Sequence, residues 1–426
     1  MSFKNIQEYA HLSVNGENWS EAFAEAVADM EAAGGGTLFV PPGTYPTRSI
    51  ELKSNMTLYL DAGSELFFLD DIENYERLTG NFEGITRTMY KPCIYMSHAE
   101  NVTVKGEGVI NGNGRAWWER IWAKDLEDAR PCLIYFEHCE RVRIEGVKLT
   151  MSPAWTVHPL FSNNVVIHGI TIQNPSDSPN TDGINPDSCT NVRISDCLID
   201  VGDDCIAIKS GVEDSEVFRP CENITIVNCN MIHGHGGVVI GSEMSGGVRN
   251  VTVSNCVFQD TDRGIRLKTR RRRGGYMEKL TFSNIIMDRV MCPFVFNMYY
   301  FCGKLGKEPW VSDPAPAPVD GGTPSIRDLN INNITVVNAT SCAGVIAGLP
   351  ERHIQNITFS NVNITMCKDA KPQVAAMMAR LDPMCAGGFV IRNATGIVFQ
   401  NVSLHQVVGE AYLCDDDSEF TVTAQE

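Results

Sequence analysis

The sequence predicts an all-β fold, a single-stranded parallel β-helix that spans the 426 residues as one domain, with a capping helix near its N-terminus. Three observations predict it. One short pattern recurs eleven times, the intervals between its copies suit one coil of a solenoid, and each copy alternates apolar and polar residues with period 2. The pattern is a polar residue, most often Asn, followed by apolar–polar–apolar, as in SNMTLYL, ENVTVKG, NNVVIHG, ENITIVN and QNITFSN. Its first apolar position falls at Met56, Val102, Val142, Val165, Val192, Ile224, Val251, Leu280, Leu329, Ile357 and Ile397. Between Val142 and Leu280 the steps are 23, 27, 32, 27 and 29 residues. Period-2 alternation marks strands. Units of this length, holding only short strands, cannot close a core alone. Stacked as coils, they pile their inward apolar residues into ladders.

Asn precedes the first apolar residue in seven of the eleven copies, at Asn55, Asn101, Asn164, Asn191, Asn223, Asn250 and Asn356. Asn suits a tight bend there, because it tolerates left-handed φ and its side chain can bond backbone. The central coils divide into three strand-like pieces: NVRIS, CLIDV and CIAIK; then NITIV, NMI and GVVIG; then NVTVS, VFQD and GIRLK. Propeller blades of ~40–50 residues, or an up-and-down barrel, would show Asn-Gly or Asp-Gly hairpin turns at regular places, and few occur.

Residues 18–33 follow helical spacing through Phe23, Ala26, Val27 and Met30, and Gly34-Gly35-Gly36 ends the helix. A solenoid needs its first coil covered, which is the role expected of this helix. Residues 111–131, with three of the six tryptophans, and residues 303–325, rich in Pro and Gly, interrupt the repeat and read as loop insertions. The acidic run at 415–419 reads as a solvated end.

Hydrophobic residues at 43% and charged residues at 20% describe an ordinary globular chain. No apolar run approaches the ~18 residues of a membrane span. The first residues lack a basic stretch followed by an apolar one, so no secretory signal is expected. Several of the 15 cysteines, among them Cys189, Cys197, Cys205, Cys229 and Cys256, sit inside predicted strands. They read as free thiols filling a core in a reducing compartment, which points to the cytoplasm. No paired CxxC and no zinc-like Cys/His spacing occurs, and neither metal nor cofactor is expected. The net charge of −17 disfavours nucleic acid and anionic membranes as partners. An acidic sugar would need a local basic patch. Oligomeric state is not legible.

Aligning the third strand of successive coils by its Ile/Val pair sets Asp182-Gly183-Ile184 beside Asp204-Cys205-Ile206, then Gly236-Gly237-Val238, then Arg263-Gly264-Ile265. On this register Asp182, Asp203 and Asp204 become neighbours, and His235 falls in the row of Asp203. Ile265 and Leu267 point inward, so Arg266 and Lys268 point out together. Clustered carboxylates repel, which raises the pKa of one while others stay ionised. Hydrolysis of a glycosidic bond needs that division: an acid for the leaving oxygen and a base for water. Taken singly, each Asp is better read as a turn residue. A Ca²⁺ site is the alternative for the cluster, and the adjacent cations count against it. Arg266 and Lys268 suit a substrate carboxylate. The run from Arg270 to Arg273 reads as an anion trap beside them. His158 falls in the outward row of Asn185 and Arg266, open to a substrate contact or a structural role. Tyr299 and Tyr300 suit sugar stacking or core packing about equally.

At these residues the sequence resembles glycoside hydrolase family 28, the polygalacturonases. The family's motifs NTD, DD, GHG and RxK stand in order as Asn180-Thr181-Asp182, Asp203-Asp204, Gly234-His235-Gly236 and Arg266-Leu267-Lys268. GSEMSGGVRNV (241–251) and RRGGYME (272–278) look like bacterial exo-acting members. The resemblance implies a right-handed parallel β-helix of the pectin-lyase-like kind and an inverting hydrolysis of α-1,4-linked galacturonic acid. It implies Asp203 as general acid, Asp182 and Asp204 on the water, His235 tuning the acid, and Asn180, Arg266 and Lys268 at the substrate. Two other readings of the fold remain: a Ca²⁺-dependent lyase, and a non-catalytic carbohydrate-binding β-helix. Exo action on short acidic oligosaccharides is the expected mode, with 111–131 and 303–325 as the loops that would block the cleft.

Overall fold

The computed structural model describes residues 2–303 and 305–423. The chain forms two compact units, Met1–Asp203 and Asp204–Glu426, and each is a stretch of right-handed parallel β-helix built coil upon coil. Among the described residues the strand ladders are parallel, apart from one antiparallel hairpin, Arg77–Phe82 with Ile85–Tyr90.

In the first unit, Ser2–Asn5 pairs with Gly36–Val40, which pairs in turn with Met56–Leu60. The helix Ser20–Ala32 buries Ala22, Phe23, Ala26, Val27 and Met30, the face that the sequence predicts. It ends in a Schellman turn. The Gly34 N–H bonds Glu31 O at 3.0 Å, and the Gly35 N–H bonds Met30 O at 2.8 Å. Gly34 takes φ +80°, which a glycine adopts without a Cβ penalty.

The register follows the repeat. Val102 pairs with Val142, Arg143 with Val166, and Val165 with Val192. In the second unit one row runs Ile224, Val251, Leu280, Leu329, Ile357 and Ile397, then continues to Phe420. Burying each such side chain contributes about 1.5–3 kcal/mol. A one-residue slip would turn a whole row to solvent, so the apolar alternation fixes the register. The turn position before each of the eleven apolar residues is left-handed: the seven asparagines (φ 56° to 62°), and equally Arg141, Lys279, Asp328 and Gly396. A second asparagine row, Asn255, Asn284, Asn333, Asn361 and Asn401, stacks by side-chain amide bonds of 2.7–3.2 Å. The sequence reading did not single this row out.

Three strands per coil hold for Cys221–Val227, Asn230–His233 and Val238–Gly241. From Val248 onward the first two fuse into one long strand, as in Val248–Gln259 and Tyr276–Asp288. The segment 111–131 is not a plain loop. It contains the helix Arg115–Trp122, whose Trp117 and Trp118 are buried with Tyr75 and Tyr90. Among the described residues, 303–324 has no regular element beyond the 3₁₀ turn Pro309–Val311, and Ser325 opens the strand Ser325–Ala339. All 15 cysteines are free thiols, and eleven of them are buried.

Candidate active site

The first unit carries Asn180, Asp182 and Asp203. Asn180 lies in left-handed backbone, φ 55°. Its Oδ1 accepts a hydrogen bond of 2.7 Å from Arg130 Nη2. Arg130 Nη1 also donates to Pro153 O at 2.8 Å and Pro179 O at 2.9 Å. Asp182 is buried at 3% exposure, and its Oδ2 accepts from Asn185 Nδ2 at 3.0 Å. Its carbonyl accepts from Thr156 N–H at 2.8 Å. The Gly202 N–H reaches Thr181 Oγ1 at 3.3 Å, which ties the Asn180–Asp182 loop to the turn that ends in Asp203. Asp203 is half-buried and remains accessible.

His158 shares a row with Asn185, because Val157 bridges Ile184. The expected substrate contact fails, however. The ring is fully buried, edge-on to Trp155 and Tyr135 at 4.8 and 5.1 Å. Its Nε2 lies 3.8 Å from Asp187 Oδ2. Neither ring nitrogen has a hydrogen-bond partner, and the same is true of Asn185 Oδ1 and Asp187 Oδ2. Such a buried polar group suits an internal water. His158 therefore packs among Trp155, Tyr135 and Asp187.

The second unit carries Asp204, His235, Arg266 and Lys268. The expected register is present: Ile206 pairs with Val238, and Val238 with Ile265. Arg266 and Lys268 both turn to Asp204. Arg266 Nη1 meets Oδ1 at 3.0 Å, and Lys268 Nζ meets Oδ2 at 2.7 Å, all three groups being buried. Burial pushes the Asp204 carboxyl up, but Lys268 and then Arg266 outweigh it and hold it well below the usual carboxylate range. Burial and Arg266 push Lys268 down, while Asp204 and Tyr300 leave it raised overall. With two cations on its two oxygens, Asp204 is a poor Ca²⁺ ligand. Among the described residues, no group of three His, Cys, Asp or Glu side chains could hold a metal ion. Gly236 of the GHG motif needs its missing side chain. A Cβ there would stand 2.4 Å from Val239 Cγ2, 3.3 Å from Asp204 Oδ1 and 3.5 Å from Arg266 Cδ. His235, one residue earlier, is exposed.

The arginine run is not an anion trap. Arg270 is 1% exposed and, with Arg273, pairs with Glu213. Arg271 pairs with Glu351 at 2.6 and 2.8 Å. Only Arg272 of the four is exposed, and its guanidinium lies 4.2 Å from the Trp310 ring. The sequence displays the charges but not the distant carboxylates that neutralise them. Tyr299 is likewise buried, with Arg271 over its ring and its hydroxyl accepting from Asn393 Nδ2 at 3.3 Å. Tyr300 is the tyrosine beside the site, its ring 5.7 Å from the Arg266 guanidinium and 5.4 Å from Lys268 Nζ.

One segment escaped the sequence reading. Residues 373–378 lie across the strands that follow Arg266. Arg263 donates to Ala375 O and Val374 O, Asn297 to Met377 O, and Ser341 to Gln373 O. Met377 Sδ takes Arg266 Nη2 at 2.9 Å. The available signal was the 20-residue gap between the strands Ile354–Met366 and Gly387–Arg392.

The family model for glycosyl hydrolases family 28 matches residues 77–385. A Vitis vinifera relative, "Probable polygalacturonase", is 34% identical over 83% of this chain and 72% of its own length. The crystal structure of a hyperthermoactive exopolygalacturonase from Thermotoga maritima superposes with a TM-score of 0.75 and 30% identity, covering 92% of both chains. The family 28 exopolygalacturonase of Yersinia enterocolitica gives a TM-score of 0.77 at 19% identity over 100% of this chain and 78% of that one, a likeness of fold alone. The matched span contains all four motifs, from Asn180-Thr181-Asp182 to Arg266-Leu267-Lys268, and so the chain belongs to glycosyl hydrolases family 28.

Proposed function

We propose that the protein hydrolyses α-1,4-linked galacturonic acid with inversion. The observation that carries this is the Asp204–Arg266–Lys268 cluster, a carboxylate held ionised beside two cations that suit a uronate. In this reading Asp203, the accessible aspartate, protonates the leaving oxygen. Asp182 takes the proton of the water. Asp204, low in basicity because of its two partners, orients that water. Arg266 and Lys268 are the cations that suit a galacturonate carboxylate. His235 tunes the acid.

The finer reading is exo action on short acidic oligosaccharides, in the manner of bacterial exo-acting members. The segment 373–378 supports it, because it covers the outward face of the strands beyond Arg266 and leaves a bound chain less room on that side. Free thiols throughout the chain suit a reducing cytoplasm.

The test is product analysis on a defined oligogalacturonate, with Asp203→Asn as the control. Release of mono- or digalacturonate from one end is expected, without ultraviolet-absorbing unsaturated ends and with full activity in chelator. Asp203→Asn should lose ~10²–10⁴-fold in kcat with its fold retained. A spread of product sizes would refute exo action, and near-normal turnover in the variant would refute the acid assignment.

A further inference from the structure

Arg130 has no part in the function proposed above, yet among the described residues of the first unit it is the Lys or Arg that is buried. It is 3% exposed, and its three hydrogen bonds run to Pro153 O, Pro179 O and Asn180 Oδ1. None of these acceptors is charged. Arg271 and Arg273 in the second unit are buried to a similar degree, and each has a carboxylate in contact. A buried cation without such a contact is costly, so the charges that offset it must lie further off. The carboxylates acting on Arg130 are Glu83 at the hairpin turn, Asp182 and Asp203; the neighbouring Cys132 thiol, pushed up by burial, is neutral. Burial lowers Arg130 to about 10, with the three carboxylates opposing it, so it stays protonated at neutral pH.

Two of its acceptors, Pro179 O and Asn180 Oδ1, belong to the loop that carries Asp182. The same loop reaches the Asp203 turn through the Thr181–Gly202 hydrogen bond. We infer that Arg130 is a positioning residue: it clamps the left-handed Asn180 so that Asp182 stands in place. This rests on the role proposed for Asp182. Asn180→Gly removes one acceptor and keeps the left-handed φ. Arg130→Lys keeps the charge and cannot span three acceptors. Arg130→Gln removes the charge.

The experiment measures kcat and KM on a defined oligogalacturonate for the full chain and these three variants, with thermal unfolding to verify the fold. In Arg130→Gln, kcat should fall ~10²-fold, the loss expected of a misplaced catalytic group. KM should stay near wild type. Arg130→Lys and Asn180→Gly should each lose kcat to a smaller extent, again with KM near wild type. A folded Arg130→Gln enzyme with wild-type kcat, or one whose loss lies in KM, overturns the inference. If that variant does not fold, wild-type kcat in both of the others overturns it instead. Asp182→Asn separates the two levels. Activity in that variant defeats the proposed function, whereas its inactivity beside a normal Arg130→Gln kcat defeats only the role of Arg130.

Discussion

Asp204 shows how far a residue's neighbours decide its chemistry. It is a carboxylate at 1% exposure, tolerable only because Arg266 and Lys268 complete it. Removing one member of such a group leaves the others buried and unpaired. Asp204→Asn should therefore destabilise the protein by about 3–5 kcal/mol at pH 7. The pH dependence has a definite sign. The folded pKa of Asp204 lies below its unfolded value, so its contribution is fully present above the ordinary carboxylate range and is lost as pH falls through the folded pKa. Urea midpoints of wild type and Asp204→Asn should lie far apart at pH 7 and draw together below about pH 4. A gap that widens in acid would mean that the carboxylate is protonated in the native state. Arg270 and Arg271 obey the same rule from the other side. Glu213 and Glu351 take up the positive charge that the sequence alone presents as free.

Among elements, the turns were as legible as the strands, and for a physical reason. The repeat exposes both the apolar alternation and the residue that must tolerate left-handed φ, so the register could be read coil by coil. The register of the RxK strand followed from the same alignment. Less legible was whatever forms through distant packing. The hairpin Arg77–Tyr90 stacks Phe82 on Trp155 at 4.6 Å, and the short helix Arg115–Trp122 hangs on two buried indoles. Neither carries a period of its own, and an eight-residue helix depends on tertiary contact rather than propensity. The second asparagine row makes the turn argument testable. Asn333 is exposed with φ 53°, donates to Asn284 and accepts from Asn361. Asn333→Ala must place a Cβ in left-handed backbone at about 1–2 kcal/mol. Asn333→Gly loses the same amide bonds without that penalty. The urea midpoint should fall in the order wild type, Gly, Ala. If Ala equals Gly, side-chain stacking rather than backbone conformation sets the turn.

For the molecule as a whole, the neutralised arginines change the electrostatic account. With a net charge of −17 and Arg270, Arg271 and Arg273 already paired with carboxylates, the run offers a polyanion only the exposed Arg272. The favourable charge beside Asp204, on Arg266 and Lys268, is buried and short in reach. A long polygalacturonate should feel the overall negative field before it feels those two groups. Screening shortens that field from about 30 Å at 0.01 M salt to about 8 Å at 0.15 M. Raising salt over this range should therefore lower KM for the polymer while kcat holds steady. A trimer, carrying fewer charges and spending less of its length in the field, should respond less. The contrary result, KM rising with salt for polymer and trimer alike, would show that attraction dominates the approach. It would restore the Arg270–Arg273 run as a steering element despite its ion pairs. Steady-state kinetics on the two substrates at fixed pH decides between these outcomes, because screening acts on the field around the protein and leaves the buried Asp204 pairs almost untouched.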